Sequence, residues 1–129
     1  MKLRGFLINP WKHQLTEVEV DRSLEAWYKL LHCDSIDVCH VGKCAGLSVD
    51  VFVDDSGLLQ EPRAPFFKLA GSHSALCGYG LVLASDGCGE TVSLPECLTP
   101  EVFAQVQSLR MEQWERRIDP RDVDPEHII

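Results

Sequence analysis

The stretch Ala75-Leu-Cys-Gly-Tyr-Gly-Leu-Val-Leu-Ala84 is nearly continuously apolar. A segment with no polar face reads as a central β-strand buried on both sides, which only a sheet with neighbours and cover can accommodate. The other candidate strands fit around it. Lys2–Ile8 is an apolar strand stopped by Asn9-Pro10, and Leu15-Thr-Glu-Val-Glu-Val20 alternates at period two with Thr16, Val18 and Val20 on one face, so the pair reads as an antiparallel hairpin. Ser35–Val41 places Ile36, Val38 and His40 on one face and Asp37, Cys39 and Val41 on the other. Leu47-Ser-Val-Asp-Val-Phe-Val53 sets Leu47, Val49, Val51 and Val53 together, and Asp54-Asp-Ser-Gly57 supplies turn chemistry before a return strand opening at Leu58 and Leu59. After Asp86-Gly87, Glu90–Leu94 returns.

Two helices are expected. Asp21 or Ser23 can cap the first, with Glu25 in its opening turn and Leu24, Trp27, Tyr28 and Leu31 at i, i+3, i+4 and i+7. Thr99-Pro100-Glu101 opens the second with a capping hydroxyl, a first-position proline and an acid beside the positive helix end. Phe103, Val106, Leu109 and Trp114 give it an apolar side, and the Asp-Pro pairs at Asp119 and Asp124 stop it after Ile118. The order of elements predicts an α+β fold: an antiparallel or mixed sheet of about six strands with two helices packed on it, both on one side. Residues 1–118 form one domain in this reading, and 119–129 an acidic, extended tail.

A chain of 129 residues can bury a core without disulfides or metals. Phe6–Ile8 is too short for a signal-peptide core and no segment approaches a membrane span, which predicts a cytoplasmic protein with its six cysteines reduced. The net charge is −8. Residues 1–85 carry ten acidic and eight basic groups, residues 86–129 ten acidic and four basic, so the excess is C-terminal. A field of this sign opposes general nucleic-acid binding, which needs lysine and arginine against phosphate.

Three places concentrate reactive side chains. His32, Cys33, Cys39, His40 and Cys44 fall within thirteen residues, but the cysteines lack the tight pairing that brings two thiolates to one edge of a tetrahedron, and Cys39 and His40 point to opposite faces of a strand. They read as ordinary half-buried residues, with no metal or other cofactor expected. Cys88 and Cys97 could join such a site, although nothing in the spacing asks for them. In Gly71-Ser-His-Ser-Ala-Leu-Cys77 a histidine, two hydroxyls and a thiol crowd together, which would suit a cysteine nucleophile only if His73 came within hydrogen-bond reach of Cys77. No nucleophile elbow, P-loop or H-E-x-x-H occurs, so no catalytic residue is assigned. As a binding feature, Gly71, Ser72, His73 and Ser74 could present amides and side chains to an anion, with Arg63 and Lys68 adding positive charge.

Asn9-Pro10, the Glu-Val-Glu-Val strand, Asp21-Arg-Ser-Leu-Glu25, Cys33-Asp-Ser-Ile-Asp-Val38, Val53-Asp-Asp-Ser-Gly-Leu58, Pro62-Arg63, Leu69-Ala-Gly71, Gly80-Leu-Val-Leu83 and Thr91-Val-Ser-Leu94 together resemble the domain-of-unknown-function family 3846, over roughly residues 3–105. The resemblance implies a setting, small proteins of bacteriophages and mobile elements, and no reaction. The middle loop departs from the family's Pro-Asn-Arg in reading Glu61-Pro-Arg63, and extra residues stand between Gly71 and Gly78.

The resulting expectation is a non-enzymatic accessory protein acting by stoichiometric binding in host takeover or anti-defence, with self-association left open. One mode sequesters a small anionic, nucleotide-type signal near Arg63, Lys68 and the Gly71–Ser74 loop. A second blocks a host protein through acidic and apolar surface, with Ile128 and Ile129 at the end of the tail as anchors. A small cysteine- or histidine-dependent enzyme is the third.

Overall fold

The computed structural model describes residues 1–55 and 65–112. In chain order the elements are β1 (Lys2–Asn9), β2 (Gln14–Asp21), α1 (Leu24–Leu31), β3 (Ile36–Cys44), β4 (Leu47–Asp54), β5 (Phe66–Lys68), β6 (Leu76–Cys77), β7 (Gly80–Ser85), β8 (Thr91–Val92), α2 (Pro100–Val106) and β9 (Arg110–Glu112). The main sheet runs β2-β1-β7-β4-β3 with β8 added to β7, and β6-β5-β9 form a smaller sheet. Every described strand pair is antiparallel. This is the α+β fold expected.

The expected hairpin forms in register Leu3↔Val20 through Asn9↔Gln14. Its turn is organised by Asn9, whose side-chain oxygen accepts from the amides of Trp11 (3.1 Å) and Lys12 (3.4 Å). β7 is the central strand, with Leu81, Val82, Leu83 and Ala84 fully buried between β1 and β4. The apolar run is not one strand, however. Gly78 takes φ +79 and redirects the chain, so Leu76–Cys77 joins the small sheet while Gly80 onward joins the large one. Gly80 has a packing reason too, since a Cβ there would sit 2.6 Å from the Phe67 ring.

The helices lie on opposite faces, correcting the expectation of one covered side. Trp27 and Leu31 of α1 pack with Leu3, Leu7, Val20, Phe52, Tyr79, Leu81 and Leu83. Phe103 of α2 packs with Phe6, Ile8, Val49, Val51, Val53 and Val82, together with Phe67 and Leu69 at β5. A central strand apolar on both sides requires this, because one layer of helices would leave half of β7 against water.

Ser23 caps α1 by accepting from the Ala26 amide (3.1 Å), and Leu24, expected on the buried stripe, is exposed. Thr99 caps α2 by accepting from Val102 (3.2 Å). α2 ends at Val106 rather than near Ile118. Ser108 turns to φ 48, Leu109 donates back to Ala104 (2.9 Å), and the chain becomes β9 against β5. Pairing with an otherwise open strand edge outweighs continuing the apolar helical pattern. The expected return strand at Leu58 and Leu59, Trp114, and the tail from Asp119 lie outside the described residues. Among the described residues no helix is long and apolar enough to cross a membrane.

Candidate functional site

The C-terminal end of α1 opens onto a polar groove of about 610 Å³. Its shape follows from how the helix stops. His32 adopts the left-handed conformation (φ 53, ψ 48) that usually falls to glycine, and its amide reaches back to the carbonyls of Lys29 and Tyr28. The Cys33 amide bonds the Tyr28 carbonyl (3.1 Å). The chain then passes Asp34 and Ser35 into β3, whose Ile36 pairs with Asp54 at the end of β4. Ser35 ties this corner by donating to the Asp55 carboxylate (2.6 Å).

Glu25, Asp34 and Asp54 line the groove against a single lysine, Lys29, whose ammonium lies 3.7 Å from Glu25. Tyr28 and His32 add aromatic surface, and the His32 ring packs on Tyr79 (5.5 Å between centroids), itself against Trp11 (4.7 Å). The local field is legible in Cys33. Burial pushes its thiol up to about 11, and the negative charges of Asp54, Asp34 and Asp55 add to that against a hydrogen bond at Ser35. The groove therefore suits a cation. A guanidinium could pair with carboxylates and stack on Tyr28.

The five residues from His32 to Cys44 are dispersed. Cys33 packs on the α1 face, Cys39 and Cys44 on the α2 face, and His40 on the surface above Asp50. Among the described residues no three His, Cys, Asp or Glu side chains gather as a metal would require.

The Gly71–Ser74 loop is held to the body of the protein through Gly71 and Ser72. A bulge between His40 and Gly42 pushes the Val41 carbonyl out of the β3–β4 ladder, and a Cβ on Gly71 would overlap that carbonyl. The Gly71 amide donates to Gln107 Oε1 (2.9 Å), the Ser72 amide to the Leu69 carbonyl (3.0 Å), and the Ser72 hydroxyl to the Ser74 carbonyl (2.9 Å). What the loop offers outward is the exposed side chains of His73 and Ser74, with Lys68 exposed on β5 and 5.8 Å from the Phe66 ring. His73 is on the surface whereas Cys77 is 3% exposed, in the core. Arg63, Ile128 and Ile129 lie outside the described residues.

Two residues that sequence reasoning passed over organise the interior. Gln107, 7% exposed, donates to the Val41 carbonyl (3.0 Å), accepts from Gly71, and offers its own carbonyl to Ala70 (2.7 Å), so it joins the end of α2 to the bulge and the loop. Asp50, 3% exposed on β4, is hydrogen-bonded by His40 Nδ1 and by the Ser48 hydroxyl (2.8 Å). Burial pushes its carboxyl up, but hydrogen bonds from His40, Ser48 and Ser85 and the charge of His40 outweigh this and hold it below the ordinary value. Ser48 donates to Asp50 and lies 3.5 Å from the same imidazole nitrogen, so the trio lacks the relay in which the outer nitrogen activates a hydroxyl.

A six-stranded antiparallel sheet with one helix on each face and an acidic groove at a helix end defines an α+β domain. The model of the family described as Domain of unknown function (DUF3846) matches residues 1–107, and the chain belongs to that family. The matched span contains the groove, Asp50 and Gln107, and stops before β9. Neither the curated proteins nor the solved structures compared with the chain gave a match.

Proposed function

We propose that the protein acts by stoichiometric binding, as a phage or mobile-element accessory protein in host takeover or anti-defence, and that the groove beside α1 takes a basic segment of a host protein. The observation that carries this reading is the convergence of Glu25, Asp34 and Asp54 around one lysine. The C-terminal end of a helix adds partial negative charge there, and the whole-molecule charge of −8 favours rapid encounter with a basic surface. This reading develops the surface-blocking mode at the groove; the Ile128 and Ile129 anchor expected from the sequence lies outside the described residues.

The anion-sequestering mode rests on Lys68, His73 and Ser74, which are exposed, while the Gly71 and Ser72 amides already have internal acceptors. The enzyme reading has less support, since a thiol in the core has no access to substrate.

Capture from a host lysate tests the assignment. Wild type should retain a basic protein that the double variant Glu25→Gln, Asp34→Asn loses, and raised salt should slow association of the wild type. Equal capture by both forms removes the groove from the reading. Calorimetric binding of a nucleotide that is abolished by Lys68→Ala would move the function to the other loop.

A further inference from the structure

The bulge in β3 gathers polar side chains on the α1 face, toward the opposite end of β4 from the Asp54 of the acidic groove. His40 pairs with Asp50 and Lys43 with Ser48, and Ser48 and Asp50 are two residues apart on β4. Paired residues of an antiparallel ladder share a face, so His40 and Lys43 share one as well, about 7 Å apart along the strand. In an unbroken strand positions 40 and 43 would face opposite sides. The register shift between His40 and Gly42 supplies the extra residue that brings them together.

Asp50 fixes the state of the imidazole. Its buried carboxyl group is bonded to His40 Nδ1 and to the Ser48 hydroxyl (2.8 Å), and it ionises below the ordinary carboxyl range, so the ring proton of a neutral His40 sits on Nδ1. The other nitrogen, Nε2, then carries a lone pair. It belongs to a side chain that is 69% exposed, and among the described residues it has no hydrogen-bond partner. Lys43 is exposed too and makes no ion pair among the described residues.

We propose that His40 is a modification site that accepts a phosphoryl group on Nε2 from a donor in which phosphorus is bound to nitrogen. The Nε2 lone pair attacks phosphorus, a new N–P bond forms, and the donor's own P–N bond breaks. Its electron pair leaves with the donor nitrogen, which is protonated beforehand and departs as a neutral amine. The ring, still protonated at Nδ1, becomes cationic, and the Asp50 carboxylate beside that proton compensates the charge. The phosphoryl oxygens bring negative charge, which the Lys43 ammonium on the same face is placed to meet. His13, His32 and His73 are exposed as well, but none is paired with a carboxylate among the described residues, which makes them internal controls.

Full-length protein is treated with potassium phosphoramidate, modified histidines are located by mass spectrometry of peptides kept at alkaline pH, and the ring nitrogen is assigned by phosphorus NMR. The expected result is a phosphoryl group on His40 first, at Nε2, and none at that position in His40→Gln. Asp50→Asn should slow the reaction about tenfold, the worth of one charge-assisted hydrogen bond. Because that variant also loses stability, Lys43→Met on the exposed side chain is the second one, with an unchanged Tm and a rate lower by about threefold. Modification of any other histidine as fast as His40 overturns the proposal. A phosphoryl group on Nδ1 of His40, or a rate at His40 that either variant leaves unchanged, overturns it equally.

Discussion

The two faces of the sheet are closed by different means. On one, a helix of two turns covers Leu3, Leu7, Phe52, Leu81 and Leu83 through Trp27 and Leu31, and polar groups gather at its margins, Asp50 with His40 on one strand pair and the acidic groove at the helix end. The buried Trp27 Nε1 has no hydrogen-bond partner among the described residues. On the other face α2 and the small sheet approach the main-sheet backbone directly at Gly71 and Gly80, and Gln107 satisfies the polar groups that this approach buries. A short amphipathic helix seals an apolar patch but cannot pair stray polar atoms, whereas loops and strands bring donors and acceptors with them. The α2 face is therefore the more tightly tied side, and the α1 face the one with an acidic groove at its margin.

The sharpest test of that contrast is truncation of the two anchoring side chains. Phe103→Ala should cost about 3–5 kcal/mol in chemical denaturation, because the ring is fully buried against Phe6 (5.8 Å between centroids) and already borders a cavity that its loss would enlarge. Leu31→Ala should cost about 2–5 kcal/mol, toward the lower end if the short helix can settle into the space. A larger loss at Leu31 than at Phe103 would reverse the assignment of the more tightly tied side.

Gln107→Ala comes next. It leaves the Val41 carbonyl and the Gly71 amide without partners, so about 1–3 kcal/mol should be lost. A change under about 0.5 kcal/mol would show that water replaces the amide and that the network does not organise this face.

These residues also mark how far the sequence could be read. The alternation Leu47–Val53, the double-sided apolarity of Leu81–Ala84 and both helix caps were legible, because each is a local pattern whose physical cause lies within a few residues. The break at Gly78 was not, since the glycine that permits positive φ does not say whether the chain uses it. The stop after Val106 was missed because pairing with β5 is a non-local competitor of the helix. Of the groove, the sequence displayed His32, Cys33 and Asp34 but not Asp54, which arrives from another strand. Asp50 alternates with the apolar positions of its strand and drew no reading of its own, because the neighbours that close over it, His40 and Ser85 as well as Ser48, come partly from other strands.

Asp50 makes the α1 face acid-sensitive. Its carboxyl binds a proton less readily in the folded chain than in the unfolded one, so the stability it contributes is complete above the ordinary carboxyl pKa of 3.8 and is lost as pH falls through the lower folded value. Asp50→Asn should cost about 1–3 kcal/mol at neutral pH. Between pH 6 and pH 3 the gap between wild type and variant in urea unfolding should narrow only at the acid end. A gap that stays constant to pH 3 would mean that the carboxylate charge contributes nothing.

The smallest expected effect falls on the groove itself. Glu25 is largely exposed, and its contact with Lys29 is a surface i,i+4 pair, which contributes a few tenths of a kcal/mol at most. Glu25→Gln with Asp34→Asn should therefore change unfolding free energy by less than about 0.5 kcal/mol. The same substitutions remove two of the three carboxylates that line the groove, and with them part of the negative field on Cys33. The Cys33 thiol should consequently ionise at lower pH, which a pH series of thiolate absorbance in wild type and variant can read, with Cys33→Ser identifying the signal. Unchanged stability with a lowered Cys33 pKa would mark the acidic groove as a surface available for binding at little structural cost. A clear loss of stability would show that these carboxylates hold the end of α1 together, and the charge on this face would then be structural like that of Asp50.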